Sequence, residues 1–373
     1  VIEPAAYEDA AAALREAAAR GARVRFRGGG TKLAWAGATA EPDLEISTAK
    51  LDRILEHNEG DLTAVVQAGV PVATLQERLA AAGQMLALDP APAEGATVGG
   101  MLATGDSGPL RHRHGAPRDL VLGVTVALSD GTLARAGGKV IKNVAGYDLA
   151  KLFTGSFGTL GAILEVALRL HPLPATATAV GSARDPATVA AAASALAHSS
   201  LEAQCLDVWW EAGAGRVLVR FAGAEAGPQA TDAARLLAES GMDAETTADD
   251  EQLWHEQRAR QRSAGGVVVR VSGVQSQLED QMRAAEARGG SLVGRAAFGL
   301  SWLTLPDGEA VEAVRRELAP APCVVLDAPA ELRERIDVWG VAPAGGAVDL
   351  MRRVKERFDP AGACNPGVFV GGI

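Results

Sequence analysis

Glycine is the residue type whose placement in this sequence could do chemistry. Three clusters stand out: Arg27-Gly28-Gly29-Gly30-Thr31-Lys32, the stretch from Ala96-Thr97-Val98-Gly99-Gly100-Met101 through Thr104 to Gly105-Asp106-Ser107-Gly108, and Gly155-Ser156-Phe157-Gly158-Thr159-Leu160-Gly161. Without a Cβ, glycine permits positive φ and close backbone approach, so successive N–H groups can converge on an anion. Each charge-assisted N–H bond contributes about 1.5–3 kcal/mol, so a handful would hold a pyrophosphate without any lysine. A single such cluster is more often a tight turn. Three in this layout point to a phosphate-bearing ligand lying against backbone.

The surplus is local. The chain has 43 glycines in 373 residues; 14 fall in the window 95–161 and three more at 28–30, which is 17 of the 43. Two common phosphate sites are excluded. The GxGxxG turn of a Rossmann site fails after Arg27 because position 33 is Leu, and Gly155, Gly158 and Gly161 follow a helical stretch instead of a strand. The Gly138-Lys139 pair precedes Val140, so there is no Walker A loop.

The elements around the clusters can be read from periodicity. Residues 5–20 form an Ala-rich helix stopped by Gly21, and Val24–Arg27 alternates as a strand into the first glycine cluster. Leu62–Ala68 is a strand and Val72–Ala82 a helix ended by Gly83. Val124, Val126 and Leu128 lead to a Ser129-Asp130-Gly131-Thr132 hairpin turn. Asp148–Thr154 is a short helix closed by Gly155, and Leu164–Leu170 a half-buried strand broken at His171-Pro172-Leu173-Pro174. Beyond that break glycine thins and helices become regular. Asp185-Pro186 starts one helix, and Ser276-Gln277-Leu278-Glu279 fits a capping box at another. Strand-like runs at Cys205–Trp210, Arg216–Phe221, Val267–Val271 and Leu300–Leu305 give the order strand-helix-strand-strand-helix-strand twice, separated by a helix near 250–262. Two split βαβ units side by side are expected. A last helix, Asp349–Phe358, precedes a glycine-containing tail.

Composition bounds the function. At roughly 150 residues per domain the length suggests two or three domains. The formal charge of −10 and pI near 5.2 argue against nucleic acid and anionic membrane as partners. Cys205, Cys323 and Cys364 lie too far apart for zinc or iron–sulfur spacing, and sparse, odd cysteines fit a reducing compartment. The acidic start lacks a signal-peptide layout and no run of apolar residues reaches membrane-spanning length, so a cytoplasmic location without a direct membrane span is expected.

Arg27-Gly28-Gly29-Gly30, Ala96–Met101, Lys142-Asn143-Val144-Ala145-Gly146-Tyr147-Asp148-Leu149, Gly155–Gly161 and Asp359-Pro360 with Asn365-Pro366-Gly367 occur in this order. Together they resemble the FAD-linked oxidases of the vanillyl-alcohol oxidase, or PCMH-type, fold. Gly83-Gln84-Met85-Leu86, Val140–Leu149 and the short second half make the chain most similar to the FAD-binding E subunits of bacterial glycolate oxidases. The likeness is strong over about 20–172 and 355–370 and weak across 175–345. It implies an α+β protein: a PCMH-type FAD-binding domain of two α/β subdomains (1–174), an α+β cap of ferredoxin-like repeats (175–345), and a C-terminal helix and tail (346–373) returning to the first domain.

The resemblance also implies a binding set for FAD. Gly28, Gly29, Gly30 and Thr31 match the first pyrophosphate loop. Thr97, Gly99, Gly100, Thr104, Gly105 and Ser107 match the second flavin-binding stretch. Gly155, Ser156, Gly158, Thr159, Gly161 and Ile163 match the segment along the adenosine half, and Asn365 would approach the isoalloxazine edge. Many relatives attach flavin through a histidine just after the first loop; Thr31 and Lys32 stand there, so non-covalent FAD is expected. Lys142 could stabilise negative charge on reduced flavin, or lie with Lys139 and Lys151 on the surface.

Other features are ambiguous or missing. Gly105-Asp106-Ser107-Gly108-Pro109 is similar to a protease nucleophile motif but lacks one glycine and an upstream histidine partner. Arg111-His112-Arg113-His114 with Arg118 is either a solvated or docking cluster or a carboxylate clamp. Trp209, Trp210, Trp254, Trp302 and Trp339 read as core aromatics. Catalytic 2-hydroxy-acid dehydrogenases of the superfamily carry His-x-Gly-Asp-Gly-Asn and Glu-His-Gly segments. After His171 only His198 and His255 remain, in neither motif. No catalytic residue and no metal site is therefore assigned. The expectation is an FAD-binding subunit working with a catalytic flavoprotein and an iron–sulfur subunit on a small 2-hydroxy acid. The alternatives are a stand-alone FAD oxidoreductase or a flavin-fold spacer.

Overall fold

Two sheets of different construction carry the chain, one of five strands and one of eight. The computed structural model describes residues 1–35, 37, 39–140, 147–263, 265–340 and 346–373. The first half opens with α1 (Tyr7–Ala19), whose Glu8 and Asp9 complement the positive helix start; Gly21, at φ +69°, turns the chain out. β1 (Val24–Arg27) pairs in parallel with β2 (Leu44–Ser47), and the first glycine cluster lies on the crossover. Then follow β3 (Ile54–Asn58), β4 (Thr63–Gln67), α2 (Val72–Ala80) and β5 (Gln84–Met85). The second glycine cluster contains α3 (Val98–Thr104), and beyond it come α4 (Arg111–His114), α5 (Pro117–Leu120), β6 (Val121–Ala127) and β7 (Leu133–Gly137). The half ends with α6 (Ala150–Phe153), β8 (Ala162–Arg169) and β9 (His171–Pro172), which pairs with β5.

The five strands form an antiparallel sheet in the order β3-β4-β8-β6-β7. Alternation suggested a half-buried β8. In the centre of the sheet it is buried along most of its length: Leu164 joins the core under α1, and Val166 and Leu168 join the one against α2. Glu165 is tolerated inside because Tyr7 Oη and Thr125 Oγ1 each donate to it at 3.0 Å.

The second half is a doubled βαββαβ unit. The first copy comprises β10 (Thr176–Ala183), α7 (Pro186–Ala197), β11 (Cys205–Glu211), β12 (Ala214–Ala222), α8 (Ala226–Glu239) and β13 (Asp243–Thr247). After the linking helix α9 (Glu251–Ala259), the second comprises β14 (Val267–Ser272), α10 (Leu278–Glu286), β15 (Ser291–Arg295), β16 (Leu300–Leu305), α11 (Gly308–Glu317) and β17 (Cys323–Asp327). The sheet order β13-β10-β12-β11-β15-β16-β14-β17 sets each copy's first strand between its third and fourth, and antiparallel β11–β15 pairing fuses the copies. Asp185 caps α7 by accepting from Thr188 N at 3.1 Å. The capping box expected at Ser276 does not form: a 3-10 turn occupies Gln275–Gln277, so α10 starts later, and Gln277 Oε1 accepts from Val274 N at 3.1 Å instead.

Helices α7, α8, α10 and α11 cover one face of this sheet, and the other face meets the first half. Cys205, Leu218 and Trp254 belong to the same core cluster as Leu75, Leu102 and Phe153. Arg295 and Asp207, both almost fully buried, pair at 2.6 Å beneath that contact. After α12 (Ala330–Arg333) and α13 (Ala347–Phe358), the tail returns to β1: Val24 N donates to Ala363 O and Asn365 N to Val24 O, each at 2.8 Å.

Candidate functional site: a glycine-lined cleft

The end of β1, the first glycine loop, the start of α3, the 157–163 stretch and the tail enclose an open cleft. It is lined by Gly28, Gly29, Gly30, Thr31, Thr97, Gly99, Gly100, Thr104, Gly158, Gly161, Ile163 and Asn365 among the residues expected from sequence. These segments are far apart in the chain, and close backbone contact holds them together. A Cβ on Gly29 would sit 1.7 Å from Gly95 O, so the first loop can lie against the second only as glycine.

Asn365 fastens three of the segments. Its Oδ1 accepts from Phe26 N at 2.9 Å, and its Nδ2 donates to Phe157 O at 2.6 Å. It has φ +40°, a left-handed conformation that asparagine tolerates better than most residues. Gly158, at φ +72°, lies against the same amide, where a Cβ would be 2.8 Å from Asn365 Nδ2. At the start of α3, Thr97 Oγ1 accepts from Gly100 N at 3.2 Å, and Thr104 Oγ1 donates back to Gly100 O at 2.9 Å.

Among the described residues, the cations Arg25, Arg27 and Lys32 line the cleft and no carboxylate does. Sequence reasoning missed Arg25 and Arg27, although their alternation into the glycine loop was a usable signal. Both hold Glu45, at 2.7 Å and 3.3 Å. Burial pushes the Glu45 carboxyl up, but the two guanidinium groups outweigh it and hold it below its ordinary value. Lys32 is buried and pairs with Asp106 at 3.2 Å. Trp35 Nε1 donates to Asp327 at 3.0 Å, and Arg262 bridges Asp327 at 2.5 Å to Thr31 O at 3.2 Å, tying the first loop to the eight-stranded half.

The remaining expected residues lie elsewhere. Gly105, at φ +65°, ends α3 and turns the chain away, so Gly105 and Ser107 line a second cavity with Trp35, Arg111, Arg270 and Trp302. Gly155, Ser156 and Thr159 support the cleft from behind: Gly155 N donates to Leu102 O at 2.9 Å, Ser156 Oγ to Phe153 O at 2.8 Å, and Thr159 Oγ1 to Ser156 O at 2.8 Å. Lys142 lies outside the described residues. Lys139 pairs with Glu56, and Lys151 Nζ donates to Val121 O at 2.6 Å.

The basic cluster is split by its short helix. Arg113 pairs with exposed Glu202 at 3.2 Å, and His112 meets Phe298. His114 packs at a tilt against His171, with ring centroids 4.4 Å apart. Burial, then the His171, Arg113 and Arg169 charges, push His114 down to about 4. His198 caps α7, while His255 lines a third cavity beside α2, away from the glycine cleft. Among the described residues, no group of three or more His, Cys, Asp or Glu could hold a metal ion, and no helix is long and apolar enough to cross a membrane.

A cleft floored by backbone and flanked by arginine, with no carboxylate among its described lining residues, has the donor set of a dinucleotide site. The fold and the cleft define a dinucleotide-binding protein. Residues 1–137 match the FAD binding domain and residues 343–369 the C-terminal domain of FAD linked oxidases. Glycolate oxidase subunit GlcE of Escherichia coli is 42% identical over 122 residues, which cover 32% of this chain and 35% of that protein. An uncharacterised FAD-linked oxidoreductase of Mycobacterium tuberculosis is 28% identical across 99% of this chain and 90% of its own length. Among solved structures, alkyldihydroxyacetonephosphate synthase superposes with a TM-score of 0.73 over 98% of this chain and 76% of that one; at 16% identity the likeness is one of fold. The fold is that of PCMH-type FAD-binding proteins, and the cofactor is FAD. It spans about a third of the length of the glycolate oxidase subunits it matches.

Proposed function

We propose that this chain is the FAD-binding subunit of a glycolate oxidase, or glycolate dehydrogenase, complex. In this reading the complex oxidises glycolate to glyoxylate, with a partner flavoprotein as the main catalytic subunit and an iron–sulfur subunit carrying electrons onward. The observation that carries the reading is the glycine-lined cleft fastened by Asn365, together with the likeness to GlcE. Bound FAD would supply a two-electron acceptor for the hydride of a 2-hydroxy acid. The loops at 28–31 and 97–100 would hold its pyrophosphate, Arg25 and Arg27 would offset phosphate charge, and Gly158, Gly161 and Ile163 would lie along its length. Non-covalent attachment is supported by Lys32, whose amine is occupied by Asp106 where relatives place a flavin-linked histidine. Assembly would take place in the cytoplasm, peripheral to the inner membrane through the partner subunits.

The likeness along almost the whole chain to an uncharacterised FAD-linked oxidoreductase favours a second reading, a stand-alone enzyme on another 2-hydroxy acid. One experiment separates the two. The chain is purified alone, its flavin spectrum recorded, and glycolate or D-lactate added anaerobically. Flavin that is released by acid precipitation and stays oxidised until the partner subunits are added supports the subunit reading. Bleaching by substrate without partners overturns it.

A further inference from the structure

The third cavity, between α2 and α9, is used by neither reading of the function. Val72 and Ala73 of α2, with Leu86, Leu88 and Leu110, give it an apolar floor. Gln76 pins that floor: its Nε2 donates to Leu86 O at 2.7 Å, and its Oε1 accepts from Leu86 N at 3.1 Å. Gly95 and Ala96 line this cavity while Thr97 and Gly99 line the glycine cleft, so a stretch of backbone separates the two. The charged groups of the wall are already answered. Arg220 donates to both oxygens of Asp250, at 3.0 Å and 2.6 Å. Asp89 accepts from Leu110 N at 2.9 Å and faces Arg258 at 3.9 Å, and Glu94 and Glu251 are exposed at the rim. An anion would meet these three carboxylates and a cation the two arginines, so neither charge suits the cavity. One buried polar group is not answered. Gln204, 4% exposed, lines the cavity, and its Oε1 is shielded from solvent with no donor among the described residues. A buried carbonyl oxygen left without a donor is costly, and a ligand that donates to it recovers the cost.

We propose that this cavity binds a neutral, largely apolar molecule bearing a hydroxyl, its O–H donated to Gln204 Oε1 and its carbon body laid on the floor of Val72, Leu86 and Leu88. A hydroxyl is the smallest uncharged group that supplies the missing donor. The site shares no lining residue with the glycine cleft or the second cavity, so it stands whether the chain is a subunit or an enzyme in its own right.

The test is calorimetric titration of the FAD-loaded full chain with 1-hexanol and with its isomer pentyl methyl ether, which accepts a hydrogen bond but has none to donate. Hexanol should bind saturably and the ether about fivefold more weakly, the scale of one neutral hydrogen bond. Hexanoate and hexylamine, the charged analogues, should each bind about tenfold more weakly than hexanol. Gln204→Leu should bring alcohol and ether to equal affinity, and should melt no lower than the unaltered chain because it removes an unanswered oxygen. Ala73→Phe, at an exposed position of α2, should fill the floor and weaken both probes. Equal binding of alcohol and ether to the unaltered chain, or no saturable binding of hexanol, overturns the proposal without reference to any variant. So does a preference for the alcohol that survives in a folded Gln204→Leu chain. The flavin absorption spectrum should stay unchanged as hexanol binds; a shift would place the alcohol against the flavin and overturn the assignment to this cavity.

Discussion

The two halves of this molecule are held together by different means. In the first, distant loops meet backbone to backbone, and the contact works because Cβ atoms are missing: Gly29 against Gly95 O, and Gly158 against the Asn365 amide. In the second, two βαββαβ units meet along β11 and β15, and the interior is filled by side chains such as Trp210, Phe221 and Met282. A ligand lying along backbone needs the first kind of construction, and a stable lid over it needs the second. The lesson is that glycine in the first half brings distant loops together, whereas in the second its close contacts, such as Gly299 against Val274, lie within one βαββαβ unit.

The largest effect should come from adding one methyl group to the first half. Gly29→Ala puts a Cβ at 1.7 Å from Gly95 O, so the two loops must part. The expected outcome is loss of most bound flavin and a sharply lowered melting temperature, read from absorbance and thermal unfolding. Full flavin content in a folded variant would break the comparison.

In the second half the corresponding weak point is a buried ion pair. Arg295→Met leaves Asp207 buried and unpaired and should cost about 3–5 kcal/mol by denaturant titration. Burial already pushes Asp207 up to about 6 against the pull of Arg295, so the stranded carboxyl will take a proton more readily still. Asp207→Asn in the same background should restore part of the loss.

Asn365→Ala removes two hydrogen bonds and strains a left-handed residue, for about 1–3 kcal/mol and weaker FAD retention on dilution. Asn365→Gly relieves the strain but not the lost bonds, so the difference between the two variants isolates the backbone term.

Acid should test the packing inside the first half, where His114 meets His171. His114 titrates near 4 in the folded chain and near 6.5 when unfolded, so the unfolded chain takes the proton first as pH falls. Its contribution is therefore present above about pH 6.5 and is lost on the way down to 4. Asp89 and Asp207, both raised to about 6 by burial, act in the opposite sense, favouring the folded chain as pH falls from 6 towards 4. His114→Gln should flatten the fall in melting temperature between pH 6.5 and 4; parallel curves for variant and wild type would count against this assignment. The smallest effect belongs to Gly227→Ala in α8, where a Cβ meets open space, with a gain of a few tenths of a kcal/mol up to about 1.

Much of the fold was legible because it rests on local rules. The doubled strand-helix order, the Asp185 cap and the turn at Gly21 each depend on neighbouring residues. The glycine clusters announced a backbone-lined site because no other residue type can supply one. The failures were non-local. Nothing near Ser276 showed that a 3-10 turn would displace the cap, and nothing near β8 showed that sheet neighbours on both sides would bury it.

The sequence by itself therefore determined that this protein has a backbone-lined anion cleft and a regular, doubled α+β half, since composition and period are properties of the chain. Only the tertiary structure decided which residues share a cavity. It separated Gly105 and Ser107 from Gly99 and Gly100 by one left-handed turn, and brought Asn365 to Phe26 and Arg270 towards Arg111. Those meetings join residues as many as 339 positions apart, and such contacts are set by how whole sheets pack.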